Sequence, residues 1–265
     1  MTVGLFIPCY IDQFYPQVGI ATLELLEKLG VHVVVPLKQT CCGQPMANSG
    51  FEHLTGDCNR LFAKNFSEFD YIVSPSGSCV LHIKDHLHLD GQEGPQGHDA
   101  GHGAAGSGRG AAGDPVQHIR THIYELTEFL TDVLHVQKLS ARFPHKVGVH
   151  QACHGQRGLH LSQMTELVAD PFSKPVQLLN MVEGLELVPL SRPDECCGFG
   201  GTFCVAEEAV SVKMGKDRVE DHRAHGAEYI TAGDMSCLMH MEGILHRQGS
   251  PIRVKHIAEI LNSAE

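Results

Sequence analysis

Short apolar runs alternate with amphipathic stretches along most of this 265-residue chain. The runs are rich in β-branched and aromatic residues, a composition typical of buried strands. They lie at 3–8, 31–36, 71–74, 147–149, 185–190 and 229–232. Apolar residues at helical spacing between them predict helices over 22–29, which stops before Gly30, and over 59–69 and 207–219. Strands that alternate with helices predict an α/β fold with mostly parallel sheets.

The same landmarks occur twice along the chain, in the same order. In each half, one strand leads to a single cysteine, a second strand precedes Cys-Cys-Gly, a third leads to a last cysteine, and a similar segment (122–130 and 256–261) closes the half. The matched cysteines are Cys9, Cys41, Cys42 and Cys79, then Cys153, Cys196, Cys197 and Cys237. This order predicts two pseudo-repeated α/β units, at 1–138 and 145–265. A Gly-rich stretch without apolar periodicity, 91–113, predicts a flexible insertion in the first unit.

Charge and hydropathy exclude several classes of function. The chain has 20 Lys and Arg against 31 Asp and Glu, a net charge of −11, and no basic run, which argues against nucleic-acid binding. No apolar run approaches the ~18–20 residues of a membrane span. The first residues carry neither a basic leader nor a long apolar stretch, so we expect a cytoplasmic protein. In a reducing compartment, the ten cysteines are expected to be metal ligands or redox groups rather than disulfides.

The repeated cysteines all follow strands. Because sites on parallel sheets gather beyond the carboxyl ends of the strands, each set of four is expected to converge there. Four thiolates suit iron–sulfur clusters, zinc and Cu(I). The side chains of adjacent residues normally diverge, so a vicinal pair in which both residues are ligands suits a cluster of several irons better than one small ion. Zinc remains an alternative, because four cysteines also form its structural sites.

Four longer motifs resemble those of the CCG-domain family of iron–sulfur proteins, and within it the lactate utilization protein A branch. They are Cys-Cys-Gly-Gln-Pro at 41–45, Pro-Ser-Gly-Ser-Cys at 75–79, Glu-Cys-Cys-Gly-Phe-Gly-Gly-Thr-Phe at 195–203 and Gly-Asp-Met-Ser-Cys-Leu-Met-His at 233–240. The resemblance spans nearly the whole chain outside 91–113. It implies that the eight matched cysteines bind one or two iron–sulfur clusters of the 4Fe–4S type.

The same resemblance implies an electron-transfer subunit of an L-lactate dehydrogenase-type oxidoreductase complex, which oxidises lactate to pyruvate. The implied partners are a ferredoxin-like iron–sulfur subunit and a third small subunit. Two alternatives stay open: a thiol/disulfide reductase module, as in heterodisulfide reductase, and a non-redox zinc-binding module.

The sequence departs from the full family motif, which has five cysteines in each repeat and ends in Cys-x-x-Cys. Ser76 and Asp234 stand at the first position of that pair. The loss of the fifth thiolate argues against a noncubane cluster and against the disulfide reductase. Ser76 and Asp234 are either oxygen ligands or turn and helix-capping residues.

Several weaker candidates accompany the eight cysteines. His154 and Arg157 match family positions and are candidates for hydrogen bonds to cluster sulfurs, against the alternative of ordinary packing or surface residues. Cys204 is a further soft donor, whereas Cys58 is expected to be a small buried residue. His82 and His240 share a repeat position, either in a functional role or as common scaffold. The glycines at 198, 200 and 201 are expected to let backbone N–H groups approach the cluster.

Overall fold

Each half of the chain forms a sheet of four parallel strands in this computed structural model, which describes residues 1–89 and 114–264. The predicted insertion at 91–113 lies outside the described residues. The strands are β1 (Thr2–Leu5), β2 (His32–Val34), β3 (Tyr71–Ser74), β4 (Ile123–Glu125), β5 (Lys146–Val149), β6 (Glu186–Leu187), β7 (Tyr229–Thr231) and β8 (Arg253–Val254). The strand orders are β2-β1-β3-β4 and β6-β5-β7-β8. The predicted α/β fold with two repeated parallel units is therefore confirmed.

Helices connect the strands of each sheet. In the first half they are α1 (Cys9–Phe14), α2 (Pro16–Lys28), α3 (Gln44–Asn48), α4 (Gly56–Phe66), α5 (Gly77–His86), α6 (Pro115–His122) and α7 (Leu126–Glu128). In the second they are α8 (Lys174–Leu179), α9 (Phe203–Ala206), α10 (Glu208–Ala224), α11 (Met235–Arg247) and α12 (Ile257–Leu261). Single 3₁₀ or π turns lie at Glu52–Leu54, Phe129–Val133 and His154–Gly158. In the two described stretches, no helix combines the length and apolar character needed to cross a bilayer.

The predicted helices are present, with shifted ends. Helix α2 begins earlier than predicted because Pro16 occupies its first turn, where a missing N–H has no cost. It ends as predicted before Gly30, whose φ of 81° reverses the chain toward β2. Helix α10 extends the predicted 207–219 stretch to Ala224.

The strand registers show which residues of the two halves correspond. Val3 pairs with Tyr71 in the first sheet, and Val147 pairs with Tyr229 in the second. Val3 is therefore equivalent to Val147. Counting forward from these two residues makes Phe6 equivalent to His150 and Cys9 equivalent to Cys153. The matched cysteines thus occupy equivalent positions, whereas the residue three places earlier differs in chemistry between the halves.

The closing segments correspond in a register that differs from the sequence-based one. Ile72 pairs with Ile123, and Ile230 pairs with Val254, which makes Glu125 the equivalent of His256. The alignment that began these segments at 122 and 256 was therefore wrong by three residues. Glu125 and His256 each begin a capping box. Each side chain accepts a hydrogen bond from the backbone of the helix that follows, and the glutamate three residues later accepts one from the backbone N–H of the capping residue.

One hydrophobic core is shared by the two halves. Leu25 and Leu26 of α2 pack in the same cluster as Val147 of β5 and Ile257 and Leu261 of α12. Two further cores lie around Phe66 and around Leu238. Each includes residues of the other half, Leu159 and Leu161 in the first core and Ile11 and Val18 in the second. The shared core holds the two sheets against each other and so fixes the relative positions of the loops at their ends.

Candidate metal centre

The first set of four cysteines converges beyond the carboxyl ends of three adjacent strands. Cys9 begins α1 after β1, Cys41 and Cys42 lie in the loop after β2, and Cys79 lies in the first turn of α5 after β3. The strand order places β1 between β2 and β3, so the strand that follows β1 in sequence lies on one side of it and the next strand lies on the other. Ligand sites of parallel sheets form at such a reversal of strand order. Hydrogen bonds join the four sulfurs in a continuous series: Cys41 accepts from the thiols of Cys9 and Cys42, and the Sγ atoms of Cys42 and Cys79 are 3.5 Å apart.

The second set of four repeats this arrangement. Cys196 accepts hydrogen bonds from the thiols of Cys153 and Cys197, and Cys197 also forms a hydrogen bond with Cys237. All ten cysteines of the chain are free. The structure therefore brings each predicted set of four together. Cys204 bonds to the Gly201 carbonyl instead, and Cys58 lies close enough to Cys41 for the two groups to interact electrostatically.

The glycine of each Cys-Cys-Gly motif turns its N–H toward the first cysteine. Gly43 and Gly198 have φ angles of 93° and 86°, in the left-handed region that side chains disfavour. This conformation lets Gly43 N–H donate to Cys41 Sγ at 3.4 Å and Gly198 N–H donate to Cys196 Sγ at 3.3 Å. The expectation that glycines let the backbone approach the sulfurs thus agrees with the structure at Gly198.

Hydrogen bonds concentrate negative charge on one sulfur of each set. The Cys42 and Cys9 thiols lower the pKa of Cys41 to about 2, and the Cys153 and Cys197 thiols lower the pKa of Cys196 to about 2. The pKa values of the four donating thiols are raised, first because each donates to that thiolate and also because burial disfavours charge. They are Cys9, Cys42, Cys153 and Cys197. Metal binding to either set would release protons, because a metal is bound by thiolates rather than by thiols.

Ser76 and Asp234 meet where the two halves join. They form a single antiparallel backbone bridge, and both are almost fully buried. Ser76 Oγ caps its own helix by accepting from Cys79 N–H at 3.4 Å, whereas Asp234 Oδ2 accepts from Ser78 N–H of the other half at 2.8 Å. The hydroxyl of Tyr10 donates to Asp234 Oδ1 at 2.9 Å and lies 3.2 Å from Ser76 Oγ. These contacts favour the capping role over the oxygen-ligand role.

Cysteines of both sets line one cavity between the halves. The cavity has a volume of about 450 Å³, and its walls include Tyr10, His154 and Phe199. Its cysteines are Cys9, Cys153, Cys196, Cys197 and Cys237. The two sites therefore open toward a common space.

The weaker candidates lie in different surroundings. His154 is exposed and lines this cavity, but Arg157 is exposed and forms an ion pair with Glu166 at 2.7 Å. Cys204 donates to the Gly201 carbonyl at 3.0 Å and lines a separate cavity. Cys58 is only half-buried on α4.

His82 and His240 differ in their contacts despite their shared position. His82 is buried and stacks on His86 with ring centroids 4.9 Å apart, and burial lowers its pKa to about 4. His240 is half-buried, with Nε2 3.4 Å from the Ser211 carbonyl oxygen. The duplicated histidines nevertheless share one neighbour, because each interacts electrostatically with the equivalent cysteine of its own half, Cys41 for His82 and Cys196 for His240.

Sequence reasoning missed two residues beside the sulfurs. A ring nitrogen of His150 and the Sγ atoms of Cys197 and Cys237 all lie within 4.8 Å of one another. Burial, and after it the Arg218 charge, lowers the pKa of His150 to about 3. Tyr10, which follows Cys9, joins the halves through Asp234. The signal for His150 was its place at the end of a strand, but the repeat search passed over it because the first half has Phe6 there.

Comparison with known proteins gives a consistent assignment of the family. The model of a family described as a cysteine-rich domain, CCG, matches residues 3–84 and 147–242. The lactate utilization protein A of Exiguobacterium sp. (strain ATCC BAA-1283 / AT1b) is 41% identical, over 98% of this chain and 96% of that protein. The lactate utilization protein A of Geobacillus thermodenitrificans (strain NG80-2) is 39% identical, over 99% of both chains.

A solved structure also resembles the fold. The crystal structure of a hypothetical protein from Helicobacter pylori superposes with a TM-score of 0.55 at 12% identity. The match covers 98% of this chain but 48% of that one, so this chain spans about half the length of its structural neighbour. At this identity the likeness concerns the fold alone.

Proposed function

This chain belongs to the cysteine-rich CCG-domain family, and from that premise we propose that it acts in lactate utilization as an iron–sulfur electron-transfer subunit. The observation that carries the proposal is the convergence of two equivalent sets of four hydrogen-bonded thiols beyond the carboxyl ends of two parallel sheets. The role in lactate utilization rests on full-length relatives that bear that name.

The donor chemistry of both sites fits an iron–sulfur cluster. Each set offers four sulfurs, with the pKa of one of them lowered by hydrogen bonds from its neighbours, and soft anionic sulfur is the ligand that such clusters take. Cys9, Cys41, Cys42 and Cys79 would hold one 4Fe–4S cluster and Cys153, Cys196, Cys197 and Cys237 a second. A bound cluster of this type would supply one-electron transfer at its site.

The chain's own residues would orient the sulfurs and stabilise their charge. Gly43 and Gly198 direct backbone N–H groups at Cys41 and Cys196. Cys79 and Cys237 lie in the first turns of α5 and α11, where the positive end of the helix dipole favours a negative group. Oxidation of lactate to pyruvate releases two electrons, so two one-electron sites in one subunit match that stoichiometry. A ferredoxin-like iron–sulfur subunit and a third small subunit are the proposed partners.

Metal analysis of protein purified without oxygen tests this proposal. We expect about four irons and four sulfides per occupied site, together with an electron paramagnetic resonance signal after reduction. Deletion of the gene, with its neighbours intact, should abolish growth on L-lactate, and the wild-type gene should restore it. Unchanged growth would contradict the role in lactate utilization, and absence of iron would contradict the cluster.

A second candidate, a single zinc ion in the first site, is favoured by one distance. The 3.5 Å between the Sγ atoms of Cys42 and Cys79 is close to the edge of about 3.8 Å expected for a tetrahedral zinc with its short bonds to sulfur. A cluster binds each thiolate to a different iron and would require these two sulfurs to move apart. Stoichiometric zinc without a paramagnetic signal would support this candidate.

A further inference from the structure

The two sites differ at one equivalent position beside the sulfurs. Phe6 in the first half packs edge-on against Phe62 and Phe66, with ring centroids 4.9 and 5.7 Å away. His150 in the second half replaces this apolar ring with an imidazole, and Arg218 of α10 bonds to it. The first site thus has a hydrocarbon wall where the second has a polar group.

Arg218 determines which nitrogen of His150 carries the proton. Its Nε donates to His150 Nδ1 at 3.2 Å, and a guanidinium has no acceptor to offer. Nδ1 must therefore accept, and a neutral ring then carries its hydrogen on Nε2. The Arg218 side chain is fully buried and is held by the carbonyl oxygens of Arg192 at 2.6 Å and Val149 at 3.2 Å, so its orientation does not depend on His150 alone.

The remaining nitrogen of His150 faces a sulfur-rich site. Nε2 is buried and has no hydrogen-bond partner among the described residues. One ring nitrogen of His150 lies within 4.8 Å of both Cys197 Sγ and Cys237 Sγ, so a small movement when a cluster binds would bring a sulfur within hydrogen-bond distance of the ring. A ligand role is disfavoured because a nitrogen that carries hydrogen has no free lone pair for a metal.

We propose that His150, oriented by Arg218, donates an Nε2–H hydrogen bond to a sulfur of the second site and so gives that site a higher reduction potential than the first. The inference rests on the proposed iron–sulfur function. A reduced cluster carries one more negative charge than the oxidised one, so a fixed N–H donor stabilises the reduced state more. Phe6 offers no such donor, and His82, the imidazole near the first site, bonds to the backbone of Cys42 rather than to a sulfur. The two sites would therefore accept electrons in a set order, the second before the first.

The test is potentiometric titration of the full-length protein, followed by electron paramagnetic resonance. H150F reproduces the residue of the first site, and H150Q keeps an N–H donor. We expect H150F to shift one of the two midpoint potentials to lower values and to leave the other unchanged, and H150Q to recover most of that shift. C79S, which removes a sulfur of the first site, identifies the potential that belongs to the second. H150M replaces H150F if the latter does not fold.

Three results would overturn the inference: unchanged potentials in H150F, an equal shift of both, or loss of second-site iron from H150F and H150Q alike, which would make His150 a ligand. These results leave the proposed function standing, because each requires bound clusters in the wild type. A wild-type protein that contains zinc, or no reducible cluster, would instead contradict the proposed function and the inference together.

Discussion

Asp234 of the second half caps a helix of the first, because its Oδ2 accepts a hydrogen bond of 2.8 Å from the backbone N–H of Ser78. It makes no such bond to the helix that it precedes in sequence, α11. Its other oxygen accepts from the hydroxyls of Tyr10 at 2.9 Å and Ser236 at 2.8 Å. One buried carboxylate thus links the two halves next to the cysteines of both.

Replacement of Asp234 tests how much this link stabilises the protein. D234A leaves the buried N–H of Ser78 without an acceptor, so we expect the free energy of unfolding to fall by about 1–3 kcal/mol. D234N keeps one oxygen for Ser78 and should lose less. The measurement is urea denaturation, with S236A as the control that removes only a partly buried contact. Equal stability of D234A and S236A would show that the link contributes little.

Substitution of single cysteines tests the assignment of the ligands. Cys79 lies in the first set of four, whereas Cys58 is on α4 of the same half and outside it. We expect C79S to lower the iron content of the anaerobically purified protein to about half, since only one of two 4Fe–4S sites is lost. C58S and C204S should keep the wild-type content. Equal iron loss in C58S would contradict the assignment.

Alanine substitution of the glycines in the two Cys-Cys-Gly motifs separates two costs to stability, the strain of a positive φ and the steric crowding of the new Cβ. In G198A the new Cβ would lie 2.6 Å from the Ser211 carbonyl oxygen, whereas in G43A it would lie 3.2 Å from the Thr55 side chain, a less severe overlap. Gly226 has a similar φ of 74° with nothing within 4 Å, so G226A measures the backbone cost alone, about 1–2 kcal/mol. Denaturant midpoints should fall most for G198A, less for G43A and least for G226A. Equal losses would show that crowding is unimportant.

Protonation of His256 makes the free energy of unfolding depend on pH. Its Nδ1 caps α12 by accepting from Ala258 N–H at 3.1 Å, and burial lowers its pKa to about 4. The unfolded chain binds a proton near pH 6.5 but the folded protein does so only near pH 4, so stability falls as pH falls through this window.

H256N isolates this contribution, because asparagine caps a helix without titrating. Between pH 6.5 and 4, the wild type should lose up to about 1.4 kcal/mol per pH unit more than H256N. Denaturant titrations at several pH values measure the difference. Parallel curves for the two proteins would show that His256 does not titrate in this range.

Much of the fold was predictable because it follows from local patterns. Apolar runs such as Val31 to Val35 and the helical spacing that ends before Gly30 depend on residues close in sequence. The duplication then grouped the eight cysteines, since a repeated order of landmarks places equivalent residues at equivalent strand ends. Helix ends were less predictable: α2 gains a turn at Pro16, and α10 buries the polar side chains of Arg218 and His222, which hide its helical pattern.

The sequence alone determined the α/β architecture, its duplication and the residues that supply sulfur, because each is written in spacing along the chain. Only the tertiary structure decided that Asp234 caps a helix of the other half, that Glu125 and not His122 corresponds to His256, and that His150 faces Cys197 and Cys237. These relationships join residues far apart in sequence or absent from one of the repeats. Hydrogen bonds and burial depend on where the packed halves bring atoms together, and no local pattern encodes that.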